Sequence, residues 1–541
     1  MTGFAGPGRL RDEVRALLLD ALDAYRGTFA EAVLRDELQR FDGPLRVALA
    51  GRVKAGKSTL LNALAGEQVA ATDATECTRL VTSYAAGTRE AAWAYLRDGS
   101  VVETALHRTA GSAHVDLDAF QRAAGPAGTA GTAGSPGAPQ ASAVEALRVE
   151  LPSARLRDLT LIDTPGIASL TTELSLRTES FLTPGAHRPA AARASRAADP
   201  AERGALAGAD AVIYLLRHLH AADVGFLASF RRTGLGEAAP AHAIGVLSRA
   251  DELAPGRTES VDLARRVATA IGRDERVRAL VQTVVPVAGL LAQAGSRLSD
   301  DELGRLLALA GEPAADTDDL LLSADRFVAA AAATAVPAQL RELLLDRLGL
   351  AGVRLAVALA RLGHAHDPAG LATGLAARSG LPELEALLRG QFTDRADVLK
   401  AQHALRVLDD VLDGMFGEHP HGTVATLRAR RERVEAGAHE LAELRLLGEL
   451  RTGTAELRGL DEARRDAMER MLGAAGAGVR TRLGLPAGTP TGEVRAALRT
   501  ALDSYRRLAE NRLAGRSTRR AAAVIRRSCE GLLRDLTMDG G

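Results

Sequence analysis

Gly51-Arg52-Val53-Lys54-Ala55-Gly56-Lys57-Ser58 fits the spacing G-x-x-x-x-G-K-[ST] in full. Glycines at the two ends of such a run let backbone N–H groups close around phosphate oxygens, the Lys57 ammonium can reach the β and γ oxygens, and the Ser58 hydroxyl can ligate Mg2+. Thr59 follows at the same junction of loop and helix and is counted with the phosphate-binding set. This motif specifies a nucleoside triphosphate without saying which base it carries. Farther along, the apolar Leu159-Thr160-Leu161-Ile162 delivers Asp163-Thr164-Pro165-Gly166. In such a D-x-x-G turn the carboxylate of Asp163 can hold Mg2+ through water, and the Gly166 N–H can sense the γ-phosphate. Between the two lies Thr75-Glu76-Cys77-Thr78-Arg79, in the place of a first switch. A threonine hydroxyl there completes the Mg2+ shell only while a γ-phosphate is present, and Thr78 is preferred for this over Thr75 and Thr72.

Val246-Leu247-Ser248-Arg249-Ala250-Asp251 occupies the place of a base-reading N-K-x-D. Asp251 can accept the N1–H and N2–H hydrogens of guanine together, an arrangement adenine cannot satisfy. Arg249 can lay its stem and guanidinium plane on the base, whereas Ser248 gives up an amide contact, so guanine is expected with a looser preference than Asn would give. Val285-Pro286-Val287-Ala288-Gly289 then reads as the loop that finishes the base pocket, adding Ala288 and Gly289 to the binding set.

These residues need a scaffold of strands ending in loops. Short apolar strands are expected at Leu45 to Ala50, Val81 to Tyr84, on either side of Asp98-Gly99, and at Leu159 to Ile162, Ala211 to Leu216, Ala243 to Leu247 and Val284 to Val287. The fold class is an α/β P-loop domain with a mixed, mostly parallel sheet, followed by an all-α region. Leu10, Val14, Leu17, Leu18, Ala21, Tyr25 and Phe29 recur at helical spacing before the first strand. From about Asp300 onward the chain turns to long Leu/Ala/Arg/Glu segments, broken at residues 363–370, 414–422 and 473–491. Three parts follow: a helix within 1–40, the α/β domain over 41–300 with flexible insertions near 123–142 and 187–203, and a helical half over 301–541. Ala21-Leu22-Asp23-Ala24-Tyr25-Arg26 is echoed by Ala501-Leu502-Asp503-Ser504-Tyr505-Arg506, as if both helices joined one bundle.

Bulk properties narrow the rest. At 541 residues the chain exceeds one hydrophobic core. Lys+Arg and Asp+Glu both number 68, which argues against a dedicated nucleic-acid binder. Cys77 and Cys529 are the two cysteines and form no disulfide framework. No stretch reaches the roughly 20 apolar residues of a spanning helix, and the first residues do not read as a signal peptide. A cytoplasmic protein is expected, with any membrane contact peripheral. The arginine-rich Arg512, Arg516, Arg519, Arg520, Arg526 and Arg527 read as a solvated helix face, with attraction to anionic headgroups as the alternative. Met415-Phe416 is an apolar pair on a loop, either buried or at a stalk tip.

The run Lys54 to Leu64, the Glu76-Cys77-Thr78-Arg79 switch, the Asp163 to Ile167 turn and the helix before the α/β domain together resemble bacterial dynamin-like GTPases, in particular the actinobacterial isoniazid-inducible branch. The resemblance is strongest over about residues 1–300 and architectural beyond. It implies GTP hydrolysis with Mg2+, self-association through the G domain or pairing with a homologue, and membrane binding or remodelling at the inner face of the cell membrane. A helical neck and stalk are implied as well, with the first helix packed on the last ones. Where Ras-like enzymes place Gln after D-x-x-G this chain has Ile167, as dynamins also lack that Gln. By likeness to guanylate-binding proteins, Lys54 is a candidate for the internal charge that completes catalysis on dimerisation. The alternative is a soluble regulatory or assembly GTPase that acts through a protein partner without remodelling membranes.

Overall fold

The computed structural model describes residues 8–52, 54–69, 81–96, 100–104, 106–109, 112–115, 144–164, 208–219, 223–224, 241–253, 260–294, 298–329, 334–417, 422–453, 457 and 460–538. Thr78, Pro165, Gly166, Ile167, the Asp98-Gly99 turn and the insertions at 123–142 and 187–203 lie outside the described residues.

Strands form at β1 (Leu45–Gly51), β2 (Val81–Ala86), β3 (Ala91–Leu96), β4 (Val101–Thr104), β5 (Leu106–Thr109), β6 (Ser112–Val115), β7 (Val144–Leu151), β8 (Leu159–Asp163), β9 (Ala211–Leu216), β10 (Ala243–Ser248) and β11 (Val284–Val287). Nine of these make one sheet in the order β11-β10-β9-β1-β8-β2-β7-β3-β4, and β5 pairs with β6 apart from it. The five strands from β11 to β8 run parallel; β2 turns antiparallel to β8, and β3 is antiparallel to β7 and β4. The sheet is thus mixed and mostly parallel. Strand β7, beyond the strands expected from the sequence, runs parallel to β2 and joins it to β3. Its alternation of Leu147, Val149 and Leu151 with Arg148 and Glu150 is a strand signal, set directly after the Gly/Ala/Pro-rich stretch.

The helices are α1 (Arg9–Ala24), α2 (Phe29–Asp42), α3 (Lys57–Ala65), α4 (Ser260–Arg273), α5 (Glu275–Arg278), α6 (Gly289–Ala292), α7 (Asp300–Ala310), α8 (Ala314–Leu320), α9 (Ala324–Val328), α10 (Ala338–Arg361), α11 (Pro368–Ala377), α12 (Leu381–Gln391), α13 (Ala396–Leu412), α14 (Thr423–Gly437), α15 (His439–Thr452), α16 (Glu462–Met471), α17 (Val479–Leu483), α18 (Thr491–Glu510) and α19 (Arg516–Met538). Local chemistry sets several starts. Ser299 and Glu302 cap each other at the head of α7, and the Asp367 carboxylate accepts from the Gly370 N–H at 2.6 Å to open α11 behind Pro368. The breaks read from the sequence fall between α10 and α11, between α13 and α14, and on either side of the short α17.

Parallel strands must be covered on both faces. In β1, Leu45, Val47 and Leu49 point into one apolar cluster and Ala48 and Ala50 into another. The first cluster joins the sheet to Leu60, Leu61 and Leu64 of α3 and also to Leu381, Leu384 and Leu388 of α12, so part of the helical half shares a core with the α/β domain. A separate cluster unites α1, α2, α13 and α14. Tyr25 is buried in that cluster, whereas Tyr505 packs against the cluster holding Met468, Ile525 and Cys529. The echoed helices therefore belong to different cores: the apolar face of α1 is covered by α2, α13 and α14.

Where α2 and α13 meet the lower edge of the sheet, a set of charged side chains is buried. Arg40 pairs with Asp210, whose other oxygen accepts from the Arg46 N–H at 2.9 Å, and His403 Nδ1 lies 3.0 Å from Glu37 Oε1. Below it, His242 Nδ1 donates to the Asp210 carbonyl at 2.7 Å.

Candidate nucleotide-binding site

The loop after β1 leaves the sheet between its parallel neighbours β8 and β9. Gly51, at φ 150°, passes so close to β9 that a Cβ would stand 2.6 Å from the Leu215 carbonyl oxygen. Lys54 at φ 62° and Gly56 at φ 93° then turn the backbone through left-handed conformations into the first turn of α3. Free N–H groups at that helix start favour an anion. Lys57, Ser58 and Thr59 all sit half-buried on this turn. The Lys57 ammonium donates to the carbonyls of Gly51 at 3.2 Å and Arg52 at 3.4 Å, which holds it folded over the loop.

Asp163 ends β8 and pairs in register with Leu49 of β1. The next residue fastens the turn: the Thr164 hydroxyl donates to the Leu49 carbonyl at 2.8 Å. Burial pushes the Asp163 carboxyl up to about 6, with Lys57 opposing the shift. Burial likewise holds the Lys57 ammonium below the ordinary lysine range, opposed by Asp163. Asp163 Oδ1 is buried and accepts no hydrogen bond among the described residues. A buried carboxylate oxygen without a donor, beside a serine hydroxyl on a helix start, is a set of hard oxygen ligands that suits Mg2+. The residues present fit that ion; Thr78, the expected third ligand, lies outside the described residues.

Beyond the phosphate end lies a pocket of about 160 Å³. It is lined by Gly56, Thr59 and Leu60 from the phosphate loop and α3, by Leu215, by Val246, Ser248, Arg249, Asp251 and Glu252, and by Val287, Gly289 and Leu290. Asp251 is 8% exposed, and burial pushes its carboxyl up to about 6. Ser248 donates to the Leu216 carbonyl at 3.2 Å. Arg249, at φ 53°, pairs with Glu252 at 2.9 Å and extends toward the Lys54 carbonyl at 3.5 Å. Among the described residues, Lys54 and Arg249 are the non-glycine residues at positive φ, and both border this site. Backbone strain of this kind gathers at functional sites.

The structure thus brings together Gly51, Gly56, Lys57, Ser58, Thr59, Asp163, Ser248, Arg249, Asp251 and Gly289. Ala288 stands apart: it is 1% exposed, lies behind the lining, and its N–H donates to the Ser379 carbonyl at 2.8 Å. Several contributors carry no local motif. Gln293 Nε2 donates to the Thr59 carbonyl at 2.6 Å and fastens α6 to the phosphate loop. Gly349, at a break in α10 with φ 68° and ψ 164°, is so placed that a Cβ would stand 3.8 Å from Leu290 Cδ1 and 3.9 Å from Asp251 Oδ2. Positive φ with ψ near 160° is a glycine conformation, the one signal that marks this residue out.

A family model described as the dynamin family matches residues 47–221. Isoniazid-induced protein IniC of Mycobacterium tuberculosis, from strain CDC 1551 / Oshkosh and from strain ATCC 25618 / H37Rv, is 35% identical over 533 residues, which span 97% of this chain and 99% of that protein. Among solved structures, one from an oligomerised bacterial dynamin pair, described as a mechanism for long-range sensing and tethering of membranes, aligns over 99% of this chain and 91% of its own. That alignment has 14% identity and a TM-score of 0.32. A second from such a pair aligns at 11% identity with a TM-score of 0.31.

Proposed function

The chain belongs to the dynamin family, whose members are GTPases, and on that premise we propose that it binds and hydrolyses GTP with Mg2+, self-associates through its G domain and works on an anionic membrane surface. The observation that carries the nucleotide part is a Lys57 ammonium folded over the phosphate loop, within electrostatic reach of a buried Asp163 carboxyl whose Oδ1 accepts no hydrogen bond among the described residues. Held by Ser58 and Asp163, Mg2+ would supply neutralisation of the charge that develops on the phosphates. Lys57 swings from the Gly51 and Arg52 carbonyls to the β and γ oxygens, Ser58 and Asp163 hold the ion, and the N–H groups at the start of α3 bind phosphate. Thr78 and Gly166 report whether the γ-phosphate is there. Asp251 accepts the two guanine hydrogens at the far end of the pocket.

Lys54 is solvent-exposed on the loop, and we assign it the charge that a second G domain brings to completion. Residues 1–40 and part of 301–541 form the neck, and the remaining helices the stalk. No helix among the described residues is long and apolar enough to cross a membrane, so the reading is of a peripheral contact.

GTP turnover per molecule, measured over a range of protein concentrations with and without anionic vesicles, tests this reading. A specific rate that climbs with concentration or vesicles supports dimer-activated chemistry, and Lys57→Ala should lose it. A flat, slow rate points instead to the soluble GTPase switched by a protein partner. Lys54→Ala with the full concentration-dependent rate would remove Lys54 from the mechanism.

A further inference from the structure

Helices α18 and α19 pack on each other as a hairpin closed by residues 511–515. Its turn is fixed by its own atoms: Asn511 Oδ1 accepts from the Leu513 N–H at 3.0 Å, and the Asn511 carbonyl accepts from the Ala514 N–H at 3.1 Å. This holds Leu513 outward with 97% of its surface exposed, while the next large apolar side chain, Leu362, is 67% exposed. A lone exposed leucine is ordinary on a protein surface, so its surroundings decide what it means.

Those surroundings are cationic. Arg507, Arg512 and Arg516 are exposed around the turn and form no ion pair among the described residues. Nearest the turn, Glu510 is engaged with Arg506 at 3.4 Å and Glu449 with Arg520, and Asp503 lies one helical turn back from Arg507, away from Leu513. At another exposed apolar spot, around Met415, the charges are balanced. Met415 is 65% exposed and Phe416 lies against Phe29 with ring centroids 6.5 Å apart, but the arginines there are neutralised, Arg428 by Asp413, Arg430 by Asp20 and Arg431 by Asp409. An apolar tip ringed by unpaired guanidinium groups is complementary to an anionic bilayer, where apolar insertion and headgroup attraction add. Guanidinium groups also match phosphate in geometry as well as charge.

We propose that the α18–α19 turn is the element of this chain that touches lipid, with Leu513 entering the acyl boundary and Arg507, Arg512 and Arg516 holding headgroup phosphates. This rests on the membrane half of the reading above and not on GTP hydrolysis. Among the basic residues of the last helix, it moves the contact from the helix face to the turn that precedes it.

The test is co-sedimentation of the full chain with vesicles of phosphatidylcholine alone or mixed with phosphatidylglycerol, for wild type, Leu513→Asp, Leu513→Phe and the pair Arg512→Glu with Arg516→Glu. Turnover without vesicles and mass by light scattering are read in parallel. Wild type should bind the anionic vesicles at least ten-fold more tightly than the neutral ones. Leu513→Asp and the charge-reversed pair should lose at least ten-fold, and Leu513→Phe should keep binding, all with unchanged lipid-free turnover. Equal binding by Leu513→Asp and wild type overturns the tip and leaves the membrane reading standing. No wild-type binding to anionic vesicles overturns both. Loss of binding together with loss of self-association in Leu513→Asp overturns the lipid assignment in favour of a second copy of the chain.

Discussion

The N–H of Ala288 donates to the carbonyl of Ser379 at 2.8 Å, joining the loop behind the base pocket to the helical half of the chain. The next residue, Gly380, has φ 80° and lies so close to β11 that a Cβ would stand 2.0 Å from the Pro286 carbonyl oxygen. Gly380→Ala must therefore move the turn off the pocket wall. A loss of about 2–4 kcal/mol in unfolding free energy is expected from strain and displacement together. Guanine-nucleotide affinity should fall with it, and urea unfolding beside nucleotide titration checks both.

Asp251 makes stability and recognition respond to pH in opposite directions. Its carboxyl sits at about 6 against an ordinary 3.8, chiefly through burial, so between about pH 4 and 6 the folded chain holds more proton than the unfolded one. The stability this group supports is full below its unfolded pKa and is lost as pH rises through about 6, a change on the order of 3 kcal/mol. Guanine recognition needs the carboxylate, so affinity should weaken by up to about ten-fold per unit as pH falls below 6. Melting and nucleotide titration across pH 4.5–8, with Asp251→Asn as the variant lacking this titration, should show the two trends crossing.

Ser248 spends its hydroxyl on the Leu216 carbonyl at 3.2 Å and presents no amide to the base. Ser248→Asn adds that amide, and one further net hydrogen bond is worth about 1 kcal/mol. The ratio of GTP to ATP affinity should rise about three- to ten-fold, read by competition with a fluorescent nucleotide. An unchanged ratio would mean that Asp251 already decides the base.

The buried charges under the sheet are interdependent. Burial pushes the Asp210 carboxyl up, but Arg40, His403 and the Arg46 N–H outweigh it and hold the carboxyl below its usual range. Asp210→Ala leaves Arg40 buried without its main partner, and breaking such a pair costs about 3–5 kcal/mol. The urea midpoint should drop accordingly, far more than for removal of the exposed pair of Arg26 and Asp23.

What the sequence determined by itself is what contiguous residues can encode. The phosphate loop is legible because its glycines, lysine and serine act through one short stretch of backbone, and Asp163 because an apolar strand directly precedes it. The strands showed through their apolar runs and the helical half through its repeat, since periods of two and 3.6 are properties of the local chain. Tertiary structure alone decided which distant residues share the site. Gln293 fastened to Thr59, Gly349 beside Asp251, and the Ala288 N–H of the base-pocket loop taken by the Ser379 carbonyl all depend on how helices pack on the sheet. Burial decided the rest: the raised carboxyls of Asp163 and Asp251, the paired charges around Asp210 and the outward Leu513 follow from which atoms packing shields from water, and no spacing of residue types along a chain specifies that.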